Sequence, residues 1–133
     1  MSEEQKIRVV IADDQKLVRA GFAMVISSQP DMAVVGQARD GAEAVALAET
    51  LHPDVVLMDV MMPVMDGMEA TQRIRGLKRE DAASIPIIAM TAQTTADIRE
   101  TCRKAGMDDY IAKPIREEEL AKVIRKSWKA KKV

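Results

Sequence analysis

Short apolar runs alternate along this chain with longer segments in which apolar residues recur every three or four positions. The runs cover residues 7–12, 32–35, 55–58, 85–90 and 110–112. A short run that is apolar throughout is typical of a strand buried on both faces, and parallel neighbouring strands need a crossover segment between them. The pattern therefore predicts an α/β fold of the doubly wound class, in which five helices cover both faces of a five-stranded parallel sheet.

Three of the intervening segments carry a helical stripe. In the first segment, the spacing i, i+3, i+4, i+7, i+8 is met by Leu17, Ala20, Gly21, Met24 and Val25. The later stripes consist of Ala70, Ile74 and Leu77, and of Leu120, Val123, Ile124 and Trp128. A stripe of this period predicts an amphipathic helix that turns this face toward the core.

Aspartates follow two of the apolar runs directly. Asp13 and Asp14 come after the first run, and Asp59 comes after the third. If these two strands are neighbours in a parallel sheet, three carboxylates converge at the edge where ligands of this fold class bind. Two unit charges about 4 Å apart repel by roughly 1 kcal/mol in water and by several times more in a partly buried site. The usual reason for such a cluster is a divalent cation, although an acidic pair before a helix that opens near Gln15 could instead act as an N-cap.

Length and charge limit the classes of function. With 133 residues, of which 47% are apolar and 31% charged, the chain fits one globular domain with its own core. A formal net charge of −1 and a pI of about 5.9 argue against direct binding of nucleic acid by the whole surface. A local group of cations suits the C-terminal end of a helix dipole and is formed by Lys122, Arg125, Lys126, Lys129, Lys131 and Lys132.

The cysteine content and the apolar runs bear on where the protein acts. Cys102 is the single cysteine, so it cannot form an intramolecular disulfide and fits a reducing compartment. Its helical spacing from Ile98 and Ala105 indicates a packing role. Because the N-terminal residues are polar and no apolar run approaches the roughly 18 residues that span a bilayer, we expect a cytoplasmic protein with neither a secretory signal nor a membrane anchor.

Four short motifs stand in order at the ends of predicted strands. They are the pair Asp13–Asp14, the segment 59–67 (DVMMPVMDG), the segment 90–92 (MTA) and the segment 112–114 (AKP). Together these motifs resemble those of the receiver domain of two-component response regulators, and the resemblance extends from residue 7 to about residue 128. It implies a flavodoxin-like (βα)5 fold with strand order 2-1-3-4-5, in which residues 1–133 form a single receiver domain without an output domain.

The resemblance implies a phosphoacceptor. Asp59 would take a phosphoryl group from a phosphohistidine on a histidine kinase or phosphotransfer protein. The cofactor would be Mg²⁺, held directly by Asp14, Asp59 and the backbone carbonyl of Met61, while Asp13 acts mainly through water. A partly hydrated oxygen site of this kind suits the ion. Such a domain is not an enzyme that turns over external substrates, but it assists its own phosphorylation and dephosphorylation.

Further roles follow from the same resemblance. Thr91 and Lys113 would contact the phosphoryl oxygens, and Pro114 would form a cis peptide that aims Lys113 into the site. Tyr110 matches the switch aromatic, whose ring turns inward as Thr91 moves, and the alternative is an ordinary half-buried tyrosine. The signal would leave through the fourth helix, fifth strand and fifth helix, residues 95–128, to a downstream protein partner. The domain would be a monomer or a weak dimer linked to phosphorylation.

The two parts of the chain resemble different subfamilies. Residues 7–74 look like receivers of transcription factors with a helix-turn-helix output domain. From residue 85 onward the chain looks like receivers of hybrid histidine kinases or chemotaxis-type single domains. Since kinase recognition in the family leans mainly on the first helix, a recombined or engineered chimera with its seam at 76–84 is a hypothesis. The corresponding alternative function is a receiver-fold scaffold that binds its partner independently of phosphorylation.

Two other classes of function fit the motifs less well. A phosphohydrolase of the haloacid dehalogenase kind also uses a strand-end aspartate, but it needs a second aspartate two positions later, where this chain has Met61. A nucleotide-binding domain would have a glycine-rich turn after the first strand, where this chain has Asp13 and Asp14.

Overall fold

The computed structural model describes residues 6–77, 84–92, 95–113 and 116–132. Strands and helices alternate through these residues in the order β1 (Ile7–Ala12), α1 (Lys16–Ser27), β2 (Met32–Ala38), α2 (Gly41–Leu51), β3 (Val55–Asp59), α3 (Gly67–Arg75), β4 (Ile87–Thr91), α4 (Ala96–Ala105), β5 (Asp109–Ala112) and α5 (Glu117–Lys132). All neighbouring strands are parallel, and their order across the sheet is β2-β1-β3-β4-β5. The predicted doubly wound, flavodoxin-like fold and its strand order are confirmed.

The sheet divides the core into two layers, because successive residues of a strand point to opposite faces. On one face the buried residues of α2, α3 and α4, such as Ala48, Ile74 and Cys102, pack against alternate strand residues. On the other face Phe22 of α1 and Ile124 of α5 pack against the remaining strand residues. The three central strands β1, β3 and β4 are therefore buried on both sides, and the carboxyl ends of the strands meet at one edge.

β2 continues beyond the predicted run, as far as Ala38. A glycine and a glutamine interrupt the apolar pattern there, but the ladder with β1 goes on. Its pairing shifts by one residue between Val9 and Val10, which places a bulge in the ladder. The extension matters for the aspartates, because the main-chain oxygen of Ala38 accepts a hydrogen bond of 3.0 Å from the amide of Asp13.

β4 begins at Ile87, two positions later than predicted. Proline has no N–H to donate to a ladder, so Pro86 stands before the strand, although its main-chain oxygen accepts a 2.9 Å hydrogen bond from the amide of Val56. The amide of Ile87 donates at 2.9 Å to the carboxylate of Asp108. Ile85 is nevertheless fully buried, so the apolar run predicted burial correctly and the strand boundary incorrectly.

Of the stripe predicted to bury α1, only Val25 packs on the sheet, and the other four positions are wrong. Leu17 is 87% exposed and Met24 is 74% exposed, and positions 20 and 21 between them also face solvent. The helix instead packs on the sheet through Val18, Phe22, Val25 and Ile26. Both sets have helical spacing, but the packed set is large and apolar at each of its four positions, whereas the predicted stripe has small residues at positions 20 and 21, so the packed set removes more apolar surface from water. Two large apolar side chains therefore remain on the surface of α1.

The stripes predicted for the third and fifth helices are confirmed. Ala70 and Ile74 of α3 are buried, and Leu77 packs against the same core just beyond the end of that helix. In α5, Leu120 and Ile124 are buried. Within the described part of the chain, none of the helices combines the length and the apolar character needed to cross a membrane.

Candidate functional site

The carboxyl ends of β1 and β3, which are neighbours in the sheet, hold three aspartates close together. One carboxylate oxygen from each of Asp13, Asp14 and Asp59 lies within 4.8 Å of the other two. Asp13 and Asp59 are buried, whereas Asp14 is exposed. The carboxylates therefore converge as the strand ends predicted, and one side of the cluster is open to solvent.

Asp13 is held by a hydrogen bond at each of its polar atoms. Besides the bond from its amide to Ala38, its two carboxylate oxygens accept hydrogen bonds of 2.9 Å from the amide of Gln15 and from Nζ of Lys113. Its main-chain oxygen accepts a hydrogen bond of 2.7 Å from Nη1 of Arg19. The N-cap position of α1 belongs to Gln15, so the alternative in which the acidic pair caps this helix is wrong.

Lys113, which follows β5, bridges two of the carboxylates. Its Nζ lies 2.9 Å from Oδ2 of Asp13 and 3.0 Å from Oδ2 of Asp59. Its amide donates a hydrogen bond of 2.8 Å to the main-chain oxygen of Thr91, which ties the residue to the end of β4. Burial acts to lower the pKa of Lys113, but the two carboxylates outweigh burial and raise this pKa above its usual value. The ammonium group is therefore charged at neutral pH.

The charged form of the Asp59 carboxylate is disfavoured. Burial is the largest cause and raises the pKa of Asp59, and the negative charge of Asp13 raises it further. Hydrogen bonds from Lys113 and, at 3.2 Å, from the amide of Met61 oppose this rise without cancelling it. Additional positive charge beside Asp59 would therefore stabilise the carboxylate.

The cluster is suited to a divalent cation. Three carboxylates face a single ammonium group among the described side chains, that of Lys113. Both carboxylate oxygens of Asp13 are already engaged, while Asp14 presents its carboxylate to solvent next to Asp59. An all-oxygen donor set that is open on one side fits Mg²⁺, which prefers oxygen ligands and retains several waters.

Gly67 at the start of α3 is a site residue that the motif alone does not identify. A Cβ atom at this position would lie well inside van der Waals contact with the main-chain oxygen of Asp59, and 2.9 Å from Cγ of Met58. The amide of Gly67 donates a hydrogen bond of 2.9 Å to the main-chain oxygen of Val60. An Asp-Gly pair in a sequence signals a turn in general terms. Here the glycine allows α3 to pack directly on the backbone of Asp59.

Gly67→Ala is expected to lower the free energy of unfolding by about 2 kcal/mol, as overpacked core positions do, because the added methyl group meets main chain that cannot move alone. Gly21→Ala is the matched control, since an added Cβ there meets nothing within 4 Å. In a helix, alanine is favoured over glycine by roughly 0.5–1 kcal/mol, so the control should be stabilised. Urea unfolding measures both values, and a Gly67→Ala protein as stable as the unsubstituted one would contradict the close approach.

The loop between β3 and α3 has an unusual backbone. Val64 has a φ of 67°, in a region that β-branched residues rarely adopt. The amide of Met65 donates a hydrogen bond of 2.6 Å to the main-chain oxygen of Pro63 and closes a tight three-residue turn around Val64. Val64 and Met61 are 82% and 77% exposed. The loop therefore presents two apolar side chains to solvent, and the amide of one of them, Met61, donates a hydrogen bond to the carboxylate of Asp59.

The remaining predicted site residues lie at the ends of β4 and β5. Thr91 is the last residue of β4 and is buried. Tyr110 in β5 is half-buried, and the guanidinium carbon of Arg99 on α4 lies 4.8 Å from the centre of its ring. Pro114 lies outside the described residues. The roles of Thr91 and Tyr110, and metal binding by the carbonyl of Met61, stay predictions.

Comparison with known proteins places the sequence among regulatory proteins. The profile of the family described as response regulator receiver domain matches residues 9–125. The chain is 42% identical over 125 residues to the uncharacterized transcriptional regulatory protein YxjL of Bacillus subtilis, a match that covers 92% of this chain and 54% of YxjL. It is 40% identical over 123 residues to the transcriptional regulatory protein LiaR of the same organism, covering 92% of this chain and 56% of LiaR. The chain thus spans about half the length of these curated relatives.

Solved structures share the fold over almost the whole chain. The response regulator domain of Thermotoga maritima CheB is 36% identical with a TM-score of 0.83, and the match covers 93% of this chain and 97% of that one. The receiver domain of the sensor histidine kinase PA1611 from Pseudomonas aeruginosa is 33% identical with a TM-score of 0.83, over 93% of this chain and 98% of that one. That protein was solved with a magnesium ion coordinated in its active site cleft.

Proposed function

The chain belongs to the response regulator receiver domain family, and on that premise we propose that a carboxylate oxygen of Asp59 accepts a phosphoryl group from a phosphohistidine. The donor is a histidine kinase or a phosphotransfer protein. In the transfer, the phosphorus–nitrogen bond of the donor breaks and a phosphorus–oxygen bond to Asp59 forms. The observation that carries the proposal is the bridge of Lys113 between Asp13 and Asp59, beside the exposed carboxylate of Asp14.

Mg²⁺ is assigned to Asp14, Asp59 and the backbone carbonyl of Met61. Asp13 is assigned a role mainly through water, because both of its carboxylate oxygens already accept hydrogen bonds. When bound, Mg²⁺ offsets the negative charge of the phosphoryl oxygens and aligns them with the attacking carboxylate. The magnesium ion in the active site cleft of the PA1611 receiver domain supports the choice of ion.

Two side chains are assigned to the phosphoryl oxygens. The ammonium of Lys113 lies 3.0 Å from Asp59, so it is in place to donate a charge-assisted hydrogen bond once this carboxylate has become an acyl phosphate. Thr91 ends the neighbouring strand and supplies a hydroxyl donor. With these groups the domain would assist its own phosphorylation and dephosphorylation, while its biological output is a signal rather than a product.

Kinase recognition is assigned to α1. In the family this helix carries much of the contact with the kinase, and here Leu17 and Met24 form an apolar stripe on its exposed face. A groove of about 520 Å³ between α1 and α5 runs beside the stripe, with Phe22 and Leu120 among its lining residues and Lys113 at its border. A helix of the donor that buries the stripe would lie close to the acidic cluster.

The output surface is assigned to α4, β5 and α5, which would contact a downstream protein. Tyr110 would turn inward as Thr91 moves toward the phosphoryl group. This rotation would break the cation–π contact between its ring and the guanidinium of Arg99. The domain would work as a monomer or as a weak dimer linked to phosphorylation. It would act in the cytoplasm, where a thiol such as that of Cys102 stays reduced.

A scaffold that binds its partner independently of phosphorylation is not favoured, because Asp14, Asp59 and Lys113 are assembled at one edge. The origin of the chain as a chimera stays a hypothesis. YxjL and the PA1611 receiver are each matched over most of the chain, and the suggested seam at 76–84 falls mostly outside the described residues. That residues 1–133 act as a single domain without an output domain also stays a prediction.

Incubation with Mg²⁺ and the small phosphodonor acetyl phosphate is expected to add the mass of one phosphoryl group to the protein. Intact-protein mass spectrometry measures the gain. The control contains EDTA in place of Mg²⁺, which should slow the modification strongly because the charge of the phosphoryl group is then not offset. A protein that keeps its unmodified mass at saturating acetyl phosphate and Mg²⁺ would contradict the proposal.

A further inference from the structure

Besides Lys113, a second basic residue contacts the acidic pair: Arg19 on α1. Its Nη1 donates a hydrogen bond of 2.7 Å to the main-chain oxygen of Asp13. The side chain is half-buried, and the amide of Arg19 donates a 3.0 Å hydrogen bond to the main-chain oxygen of Gln15. The helix therefore holds the arginine in place beside the loop that carries Asp13 and Asp14.

The hydrogen bond from Arg19 is made to the peptide group that joins Asp13 to Asp14. The oxygen of Asp13 and the nitrogen and Cα of Asp14 lie in one rigid plane, so a donor that fixes this oxygen also fixes the position of the Asp14 Cα, from which the side chain extends. At the other side, the amide of Asp13 is tied to Ala38 of β2 at 3.0 Å. The main chain of Asp13 is thus clamped from the strand and from the helix.

Asp14 depends on this clamp more than the other two carboxylates do. Asp13 and Asp59 are buried, and each is held by Lys113. Asp14 is exposed, yet one of its oxygens lies within 4.8 Å of the oxygens of both partners. The position of its Cα sets whether this exposed side chain can reach the cluster.

We propose that Arg19 is a positioning residue for the cation site, because its hydrogen bond to the oxygen of Asp13 fixes the peptide plane that places the Cα of Asp14 within side-chain reach of Asp59. The inference rests on the proposed function, since it requires that Asp14 and Asp59 bind Mg²⁺. Arg19 itself does not touch the ion. Its contribution is to hold in place the main chain from which a proposed ligand extends.

Loss of the Arg19 charge and loss of its hydrogen bond should change the Mg²⁺ affinity in opposite directions. A positive charge beside a cation site repels the cation, so removal of the charge alone would tighten Mg²⁺ binding. Loss of the positioning hydrogen bond would weaken it, and residues that orient metal ligands in this way typically change metal affinity by about tenfold or more when replaced. The sign of the change in affinity therefore separates the two roles.

The test is the Mg²⁺ affinity of Arg19→Met, measured by isothermal titration calorimetry, together with its thermal unfolding in EDTA. The expected result is binding about tenfold weaker in a protein that is folded without metal. Arg73→Met is the matched control, because Arg73 pairs with Glu69 on the exposed face of α3, and its affinity should equal that of the unsubstituted protein. Arg19→Met binding that is unchanged or tighter would overturn the inference.

Two further variants keep the result interpretable. If Arg19→Met does not fold in EDTA, Arg19→Gln replaces it, because the shorter neutral side chain also loses the hydrogen bond to Asp13. Arg19→Gln should bind Mg²⁺ more weakly than the unsubstituted protein. Unchanged or tighter binding would overturn the inference. Asp14→Ala, which removes a proposed ligand, should weaken binding in every case. If Asp14→Ala has no effect, the metal assignment of the proposed function fails, whereas an effect of Asp14→Ala without one of Arg19→Met overturns the positioning role alone.

Discussion

Replacing Asp59 with asparagine is expected to abolish phosphoryl incorporation from acetyl phosphate. The amide has nearly the shape of the carboxylate, but it lacks the negatively charged oxygen that attacks phosphorus. Asp66→Asn is the matched control, because Asp66 caps α3 through the amide of Glu69 and asparagine caps helices about as well as aspartate. Intact-protein mass spectrometry after incubation with Mg²⁺ and acetyl phosphate measures phosphoryl incorporation into both variants. Full incorporation into Asp59→Asn would remove this residue from the mechanism.

The same substitution should leave a protein that is more stable without metal, so that loss of labelling cannot be ascribed to unfolding. Burial, with the charge of Asp13, raises the pKa of Asp59. A carboxyl group whose pKa is raised by folding contributes stability at low pH and loses that contribution as the pH rises through its folded pKa. Asp59→Asn should therefore be the more stable protein in EDTA at neutral pH, and its advantage should disappear as the pH falls below both pKa values. Lower stability of this variant at neutral pH would contradict the stated cause.

Lys113→Met is expected to lower the free energy of unfolding by about 3 kcal/mol in EDTA at neutral pH, the usual cost of removing one partner from a buried ion pair. The lysine side chain is only 25% exposed, and it is the group that bridges the buried carboxylates of Asp13 and Asp59. Without it, two negative charges would face each other with no cation between them. Urea unfolding measures the loss.

Mg²⁺ should restore part of the stability lost in Lys113→Met, because bound cation stabilises the folded state through the same carboxylates. Lys113→Met should also bind Mg²⁺ more tightly, because the lysine charge that repels the cation is gone, so the difference in the free energy of unfolding between the variant and the unsubstituted protein should narrow as Mg²⁺ is added. Lys126→Met is the control for removing a lysine from the exposed surface of α5, and its stability should change by no more than about 0.5 kcal/mol. Equal stability of Lys113→Met and Lys126→Met in EDTA would mean that Lys113 is not the counter-charge of the cluster.

The fold and the acidic cluster could be predicted because they depend on patterns that the chain repeats. Apolar runs separated by helix-length segments leave few arrangements other than a parallel sheet. In a parallel sheet, a strand that is followed by Asp13 and Asp14 and a strand that ends at Asp59 bring these residues to one edge. Lys113 is placed by the same rule, since it follows β5.

Other features could not be predicted because they depend on side-chain size or on backbone contacts. Two stripes on α1 have helical spacing, and the buried one contains Phe22 and Ile26 rather than Leu17 and Met24, a choice that the spacing does not make. The hydrogen bond of Arg19 ends on a main-chain oxygen, and every residue has such an oxygen, so its partner is not marked in the sequence. The sequence likewise does not predict that Gly67 lies close to the backbone of Asp59, because this contact depends on how α3 packs against β3.

The position of the phosphoryl group tests the central claim most directly. Borohydride reduces an acyl phosphate to an alcohol, so a phosphorylated aspartate becomes homoserine, which marks the acceptor permanently. After incubation with Mg²⁺ and acetyl phosphate, reduction, proteolysis and tandem mass spectrometry, homoserine is expected at position 59 and aspartate at positions 13 and 14. Homoserine at position 13 or 14 with intact Asp59, or a phosphoryl group on His52 or Thr91 instead, would contradict the central claim.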